Sequence, residues 1–231
     1  FKHFDDIETG ELLFPEKTRI LVDKIKKLSM NEIGNLNFTN DKLTEKAYVD
    51  YQYFDFDRLD NPALFSYDGL VFKQFYIKDF DDIPYLNDHV YIISALYGLL
   101  KPMTGIRDYR LYFDNTMYDL YEFWGDDLYK KLFEDEDLVL NLAINEYTKT
   151  IKPFLNDSDK FLTVDFKEVR DGKLKSIVSY MKQARGQMLK EIITRKIEDI
   201  EEVKKLNING YVYDPYNSTP DTLTFVRKRD E

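Results

Sequence analysis

The sequence has no cysteine, one tryptophan, two histidines, nine glycines and seven prolines in 231 residues. Without a thiol, the chain cannot itself be a thiol peroxidase, hold a disulfide framework, or bind zinc or iron–sulfur clusters through thiolates. Any redox role is therefore indirect. The two histidines, His3 and His89, are not at metal-binding spacing, and carboxylate-only iron sites have no dependable signature, so no metal or cofactor is expected. Little glycine and proline beside 43% hydrophobic residues describes a globular chain and not a disordered or fibrous one. No apolar run approaches the roughly 20 residues that span a bilayer. The opening FKHFDDIETG lacks the basic start and apolar stretch of a secretory signal. A cytoplasmic protein without membrane association is expected. Phe1 is not a natural initiator, which leaves room for a native segment before it.

Acidic residues dominate, and the net charge is −10. A uniformly acidic protein is repelled by phosphate at long range, which argues against indiscriminate attraction to nucleic acid. The charge is uneven, however. Residues 1–90 hold 11 Lys and Arg against 18 Asp and Glu, whereas residues 167–190 hold seven basic residues against two acidic ones. Such a stretch forms either a basic patch on an acidic body or an ordinary solvated face.

Apolar spacing predicts an amphipathic helix over residues 16–33, with Pro15 near its first turn, and a second over 39–51 capped by Thr39 or Asn40. Together they make a helical hairpin across residues 16–51. Its turn, Asn37 to Asn40, would offer backbone N–H groups and Lys42 to an anion. Residues 53–85, rich in aromatics and aspartate, read as irregular with short helices. HVYIISAL from His89 and LVLNLA from Leu138 read as buried strands, with a helix over 118–133 between them. Alternation around Arg170-Asp171-Gly172 predicts a β-hairpin with arms over 161–169 and 173–180. A helix over 181–200 follows, with Ala184, Met188 and Ile197 in its apolar stripe, and Leu223 to Val226 forms a closing strand. No repeat or low-complexity linker interrupts the chain. The expected fold is mixed α+β, a single domain over residues 1–231 with central strands, surrounding helices and a helical insertion.

Several landmarks, taken in order, resemble the YaaA-like peroxide stress family. They are Tyr67-Asp68-Gly69, HVYIISALYGLLKPM from His89, Asp108-Tyr109-Arg110-Leu111, LYEFWG from Leu120, NLAINEYTKTIKP from Asn141 and KQARG from Lys182. The ordered set is far more specific than any one element. The resemblance implies a helix-hairpin-helix element, a positively charged cleft, affinity for DNA, and a part in resisting peroxide by limiting free iron. Two departures stand out. The family pattern opens with a short strand and a loop of the SPAK type, which nothing in this sequence matches, and the family's KKARG is KQARG here, with one cation fewer. The helical hairpin also lacks the Gly-rich turn typical of helix-hairpin-helix modules.

Lys182 and Arg185 lie three apart on one helical face, at the expected junction of hairpin and helix, where unpaired amides and the helix dipole favour an anion. Arginine offers phosphate a planar fork and lysine a point charge; the alternative is an ordinary pair bridging to nearby carboxylates. Asn145, Glu146, Tyr147 and Lys149 combine a carboxylate, a phenol and an ammonium within five residues, suited to acid/base chemistry or equally to a capping and salt-bridge cluster. Arg110 either faces the same cleft or neutralises Glu146. His89, alone at the mouth of an expected strand, is a hydrogen-bonded structural residue or a catalytic one. Trp124 aligns with Leu120 and Leu128 and reads as core.

Two readings follow. In the first, the protein binds DNA in the peroxide response through Thr39, Lys42, Arg110, Lys149, Lys182 and Arg185, with modest and strongly salt-dependent affinity. In the second, an enzyme acts on a phosphorylated or nucleotide-like small molecule in the same basic cleft. Glu146, or less directly His89, would be its catalytic group, and Arg110, Lys182 and Arg185 its anion clamps. An iron-buffering carboxylate protein ranks last.

Overall fold

A computed structural model of the chain describes residues 1–228. In chain order the elements begin with helices α1 (Pro15–Lys26), α2 (Met30–Asn37) and α3 (Asp41–Gln52), strand β1 (Asn61–Pro62), and helices α4 (Ala63–Ser66) and α5 (Ile83–His89). Strands β2 (Ile92–Ser94), β3 (Gly98–Leu100) and β4 (Gly105–Ile106) follow, then α6 (Leu120–Trp124), α7 (Asp127–Leu132), β5 (Leu138–Asn141) and α8 (Asn145–Thr148). The last are β6 (Lys160–Arg170), β7 (Lys173–Lys175), α9 (Val178–Thr194), α10 (Ile200–Val203), β8 (Val212–Tyr213) and β9 (Thr222–Lys228). The fold is mixed α+β. Two units divide it: the first holds Phe1–Ser66, Val90–Glu134 and Ile144–Leu155, the second Tyr67–His89, Asp135–Ala143 and the chain from Asn156 onward.

In the first unit Pro15 starts α1, where its missing N–H is no loss, and Glu16 at the start with Lys24 and Lys26 at the end complement the helix dipole. Apolar spacing alone carries the expected helix on to residue 33. The chain instead breaks it and begins α2, because Ser29 and Glu32 form a capping box: the Ser29 hydroxyl accepts from Glu32 N at 3.3 Å while the Glu32 carboxylate accepts from Ser29 N at 2.7 Å. Asn40 caps α3, its Oδ1 accepting from Leu43 N at 3.1 Å. Thr39 is not the cap. The expected helical pair over residues 16–51 is thus three helices, of which α2 and α3 flank the turn.

HVYIISAL is mostly not strand. His89 ends α5, and only Ile92–Ser94 extends, pairing antiparallel with β3. The turn between them needs Gly98 at φ +77°, where an added Cβ would lie 2.8 Å from the Trp124 indole. Trp124 is fully buried and donates through Nε1 to Ala95 O at 3.0 Å. The helix expected over 118–133 is two, α6 and α7, interrupted at Gly125 with φ +52°.

Among the described residues of the second unit, a mixed sheet runs β5-β6-β9-β8, with β7 on β6; β5, β6 and β9 are parallel. The expected hairpin is present, but its second arm stops at Lys175 and α9 starts at Val178, three residues before the expected start. Register places Val164, Phe166 and Glu168 opposite Leu223, Phe225 and Arg227. Val164, Phe166, Leu223 and Phe225 form a core with Ala184 and Met188 of α9. Period-two alternation therefore drives Glu168 inward with them, fully buried.

A buried carboxylate needs partners. Arg170 Nε and Nη2 donate to Glu168 Oε2 at 3.0 and 2.9 Å, Tyr211 OH donates to Oε1 at 2.8 Å, and Arg227 Nη2 also donates to Oε1. Burial by itself would raise the Glu168 carboxyl, yet the bonds from Arg227, Tyr211 and Arg170 outweigh it and hold the pKa at about 2 against an ordinary 4.5. Because the folded value is depressed, the stabilisation is complete above pH 4.5 and disappears as pH falls toward 2. A shift of this size corresponds to on the order of 3 kcal/mol. Urea denaturation from pH 6 to pH 3 should show most of that loss, about 2 kcal/mol, in the wild type, and Glu168→Gln should be destabilised by about 3 kcal/mol at pH 6 with a flatter acid profile. An unchanged profile in the variant would assign the acid sensitivity to other carboxylates.

Candidate functional site

In the first unit the site residues gather around the segment from Arg107 to Asn115, which forms no helix or strand. Its backbone groups are met by side chains. Tyr97 OH donates to Arg107 O at 3.1 Å and accepts from Arg107 N at 3.0 Å. Asn37 Nδ2 at the end of α2 and Tyr51 OH on α3 both donate to Arg110 O, at 2.9 and 3.1 Å. Glu146 on α8 accepts from Phe113 N at 3.2 Å.

Glu146 is half-buried, and burial raises its pKa above the usual carboxylate value, with the Phe113 N–H opposing the rise. Tyr121 OH donates to the Glu146 main-chain oxygen and to Asp114, each at 3.0 Å. Burial pushes the phenols of Tyr121 and Tyr147 well up, so both remain protonated at neutral pH. Lys149 pairs with Asp114 at 3.7 Å and lies 5.5 Å above the Tyr121 ring. Arg110 does not pair with Glu146; its Nη1 donates to Tyr112 OH at 2.7 Å. The cluster is a half-buried carboxylate among protonated phenols, with cations beside it.

On the turn before α3, the Thr39 and Thr44 hydroxyls are 2.8 Å apart, so Thr39 locks the helix pair from inside. Lys42 is exposed on the first turn of α3.

In the second unit, KQARG falls within α9 and not at its start. The helix begins at Val178, so the free N-terminal amides belong to residues before Lys182 and Arg185. Ala184 joins the core, Lys182 is half-buried, and Arg185 is buried. Arg185 Nε and Nη1 have no hydrogen-bond partner; burial lowers the guanidinium pKa, and the Asp165 charge opposes it. Gly186 lets α9 approach the backbone before it, since a Cβ there would lie 2.3 Å from Val71 O. His89 stacks on Tyr85 with ring centroids 3.8 Å apart, its Nδ1 2.8 Å from Tyr85 O and its Nε2 3.9 Å from Glu198. It ends a helix on the surface and is not at a strand mouth.

Sequence reasoning missed a pocket of about 380 Å³ in the first unit, lined among others by His3, Lys46, Arg58, Arg107 and Asp108. Lys46 bridges Asp50 and Asp108 at 2.7 and 2.8 Å, and His3 Nε2 is 3.6 Å from Asp108. No short-range pattern joins residues so far apart in the chain.

Fold and site together define a mixed α+β protein whose candidate groups are cations, protonated tyrosines and one half-buried carboxylate. The family described as Peroxide stress protein YaaA matches residues 2–217. UPF0246 proteins are similar over nearly the whole length: 36% identity with that of Clostridioides difficile, covering 93% of this chain and 90% of the relative, and 35% with that of Ligilactobacillus salivarius, covering 96% and 94%. That of Desulfitobacterium hafniense is 32% identical, over 96% and 94%. The chain belongs to the YaaA peroxide stress protein family.

Two outcomes test the packing of these residues. Gly186→Ala should destabilise the protein by about 1–3 kcal/mol, because backbone and not a flexible side chain blocks the methyl group; a wild-type Tm would refute the close approach. Glu146 has a raised pKa, so its charged form is disfavoured by folding, and this cost grows as pH rises through the folded value. Glu146→Gln should therefore raise Tm at pH 7 more than at pH 4, read by differential scanning fluorimetry.

Proposed function

We propose that this family member acts in the peroxide response by binding DNA, and that it limits free-iron damage indirectly through that binding. The supporting observation is which cations lack a carboxylate. Lys46, Lys190 and Lys196 are each held by an aspartate at 2.8 Å or less. Lys42, Arg110, Lys182 and Arg185 make no ion pair among the described residues. In an acidic chain, a cation already neutralised is lost to phosphate, whereas these four are not. Arg185 has most to gain, because a buried guanidinium with unpaired N–H groups is costly and charge-assisted bonds to a phosphate oxygen would offset that cost. Lys149, shared with Asp114, and Thr39, engaged with Thr44, would contribute at the margin.

Few phosphates are contacted, so affinity should be modest and fall with salt, with log K against log salt falling by roughly 0.9 per phosphate neutralised. Fluorescence anisotropy on a labelled duplex from about 50 to 200 mM salt measures it. Lys42→Ala and Lys182→Ala should each weaken binding across sequences and reduce the slope by about one. Folded variants with unchanged slopes would sink the assignment.

A second reading, an enzyme of phosphorylated or nucleotide-like small molecules, is favoured by the raised pKa of Glu146, which suits a group that exchanges protons. Thermal stabilisation by nucleotides that is lost in Glu146→Gln would favour it over DNA binding insensitive to that change.

A further inference from the structure

Phe38 terminates α2 in the left-handed region, at φ 51° and ψ 45°. Glycine or asparagine occupies this position at helix ends with little steric penalty; a phenylalanine there is strained. Phe38 is also 75% exposed. One position thus carries two unfavourable features, backbone strain and apolar surface in water, and a glycine would remove both. The surrounding turn imposes the geometry. Thr39 N bonds Gly34 O at 3.2 Å, the hydroxyls of Thr39 and Thr44 meet, and Gly34 sits so tightly against Thr44 that a Cβ would lie 3.0 Å from its hydroxyl.

The same turn is fastened to the segment bearing Arg110. Asn37 Nδ2 donates to Arg110 O at 2.9 Å, and Thr116 Oγ1 donates to Asn35 O at 3.2 Å. That segment exposes Tyr112 and Met117. Lys42 lies four residues beyond Phe38. An aromatic residue is therefore held out in solvent on a braced turn, with Lys42 on the first turn of the next helix and the Arg110 main chain bonded to the neighbouring Asn37, and neither cation makes an ion pair among the described residues. A polyanion whose bases present flat π-faces complements this surface in both charge and shape. A stable protein interface would need a far wider patch, about 800 Å² on each partner.

We propose that Phe38 is a base-stacking residue, set against an unpaired or unstacked nucleobase while Lys42 and Arg110 take the adjoining phosphates. This rests on the DNA-binding reading and specifies what that site recognises. The test uses two labelled duplexes, one fully paired and one with a single unpaired 2-aminopurine, titrated with wild type, Phe38→Ala and Phe38→Gly. Wild type should prefer the unpaired base by roughly 5- to 100-fold and change the 2-aminopurine fluorescence. Both variants should bind the two duplexes equally, at the wild-type affinity for the paired one, and Phe38→Gly should melt above wild type, which separates lost stacking from unfolding. Equal binding of both duplexes by wild type, or a preference retained in Phe38→Gly, overturns the stacking role and leaves DNA binding intact. No binding to either duplex overturns both. A DNA-free dimer in sedimentation that Phe38→Gly converts to monomer overturns it in favour of a contact between copies.

Discussion

A carboxylate removed from water constrains the second unit more than any other group. Glu168 sits in line with Val164 and Phe166 on the inward face of β6, where a strand ordinarily places only apolar atoms. Its charge persists there only because Arg170, Arg227 and Tyr211 converge on it. Arg227 is the direct partner of Glu168 across the parallel pair of β6 and β9, so this bond forms only in the correct register. The planar guanidinium also lies 4.3 Å over the Tyr211 ring. Core packing, strand register and placement of the turn before β8 are thereby tied to one ionised group. The same sheet supports α9, and with it Lys182 and Arg185.

The first unit meets a similar demand by other means. The segment from Arg107 to Asn115 has no ladder or helix to satisfy its polar backbone, so side chains from the flanking elements do so. Asn37 and Tyr51 bond Arg110 O, Tyr97 bonds both backbone groups of Arg107, and Glu146 accepts from Phe113 N. Glu146 is common to the braces and the candidate site, and Tyr121 joins it by bonding the Glu146 main-chain oxygen. Burial that makes them effective braces also shifts Glu146, Tyr121 and Tyr147 away from their ordinary titration. Structural bracing and chemical potential are not separable here.

Legibility in the sequence followed the range of the interactions. Helix α3, strand β5, the turn at Asp171-Gly172 and the core role of Trp124 all rest on local spacing and were readable. The break between α1 and α2 was readable in principle, since Ser29 and Glu32 stand at capping-box spacing, but apolar periodicity masked it. HVYIISAL read as one long strand because its composition is uniformly β-favouring; the tertiary turn at Gly98, packed against Trp124, cut it short. His89 moved from a strand mouth to a helix end because α5 runs through it. KQARG was recognisable as a motif, yet the difference between a solvated pair and a buried unpaired arginine depends on what covers the helix.

By itself the sequence determined that this is a globular, cysteine-free, acidic chain of mixed α and β elements, and the order of its motifs determined its family. These depend on composition and on contacts between near neighbours, which a linear reading captures. Only the tertiary structure decided that Glu168 is ionised in a core, that Arg110 bonds Tyr112 and Lys149 pairs with Asp114, and that Phe38 is strained and exposed. Each of those outcomes depends on groups distant along the chain and on the water they lose when brought together, and neither quantity is encoded at any single position.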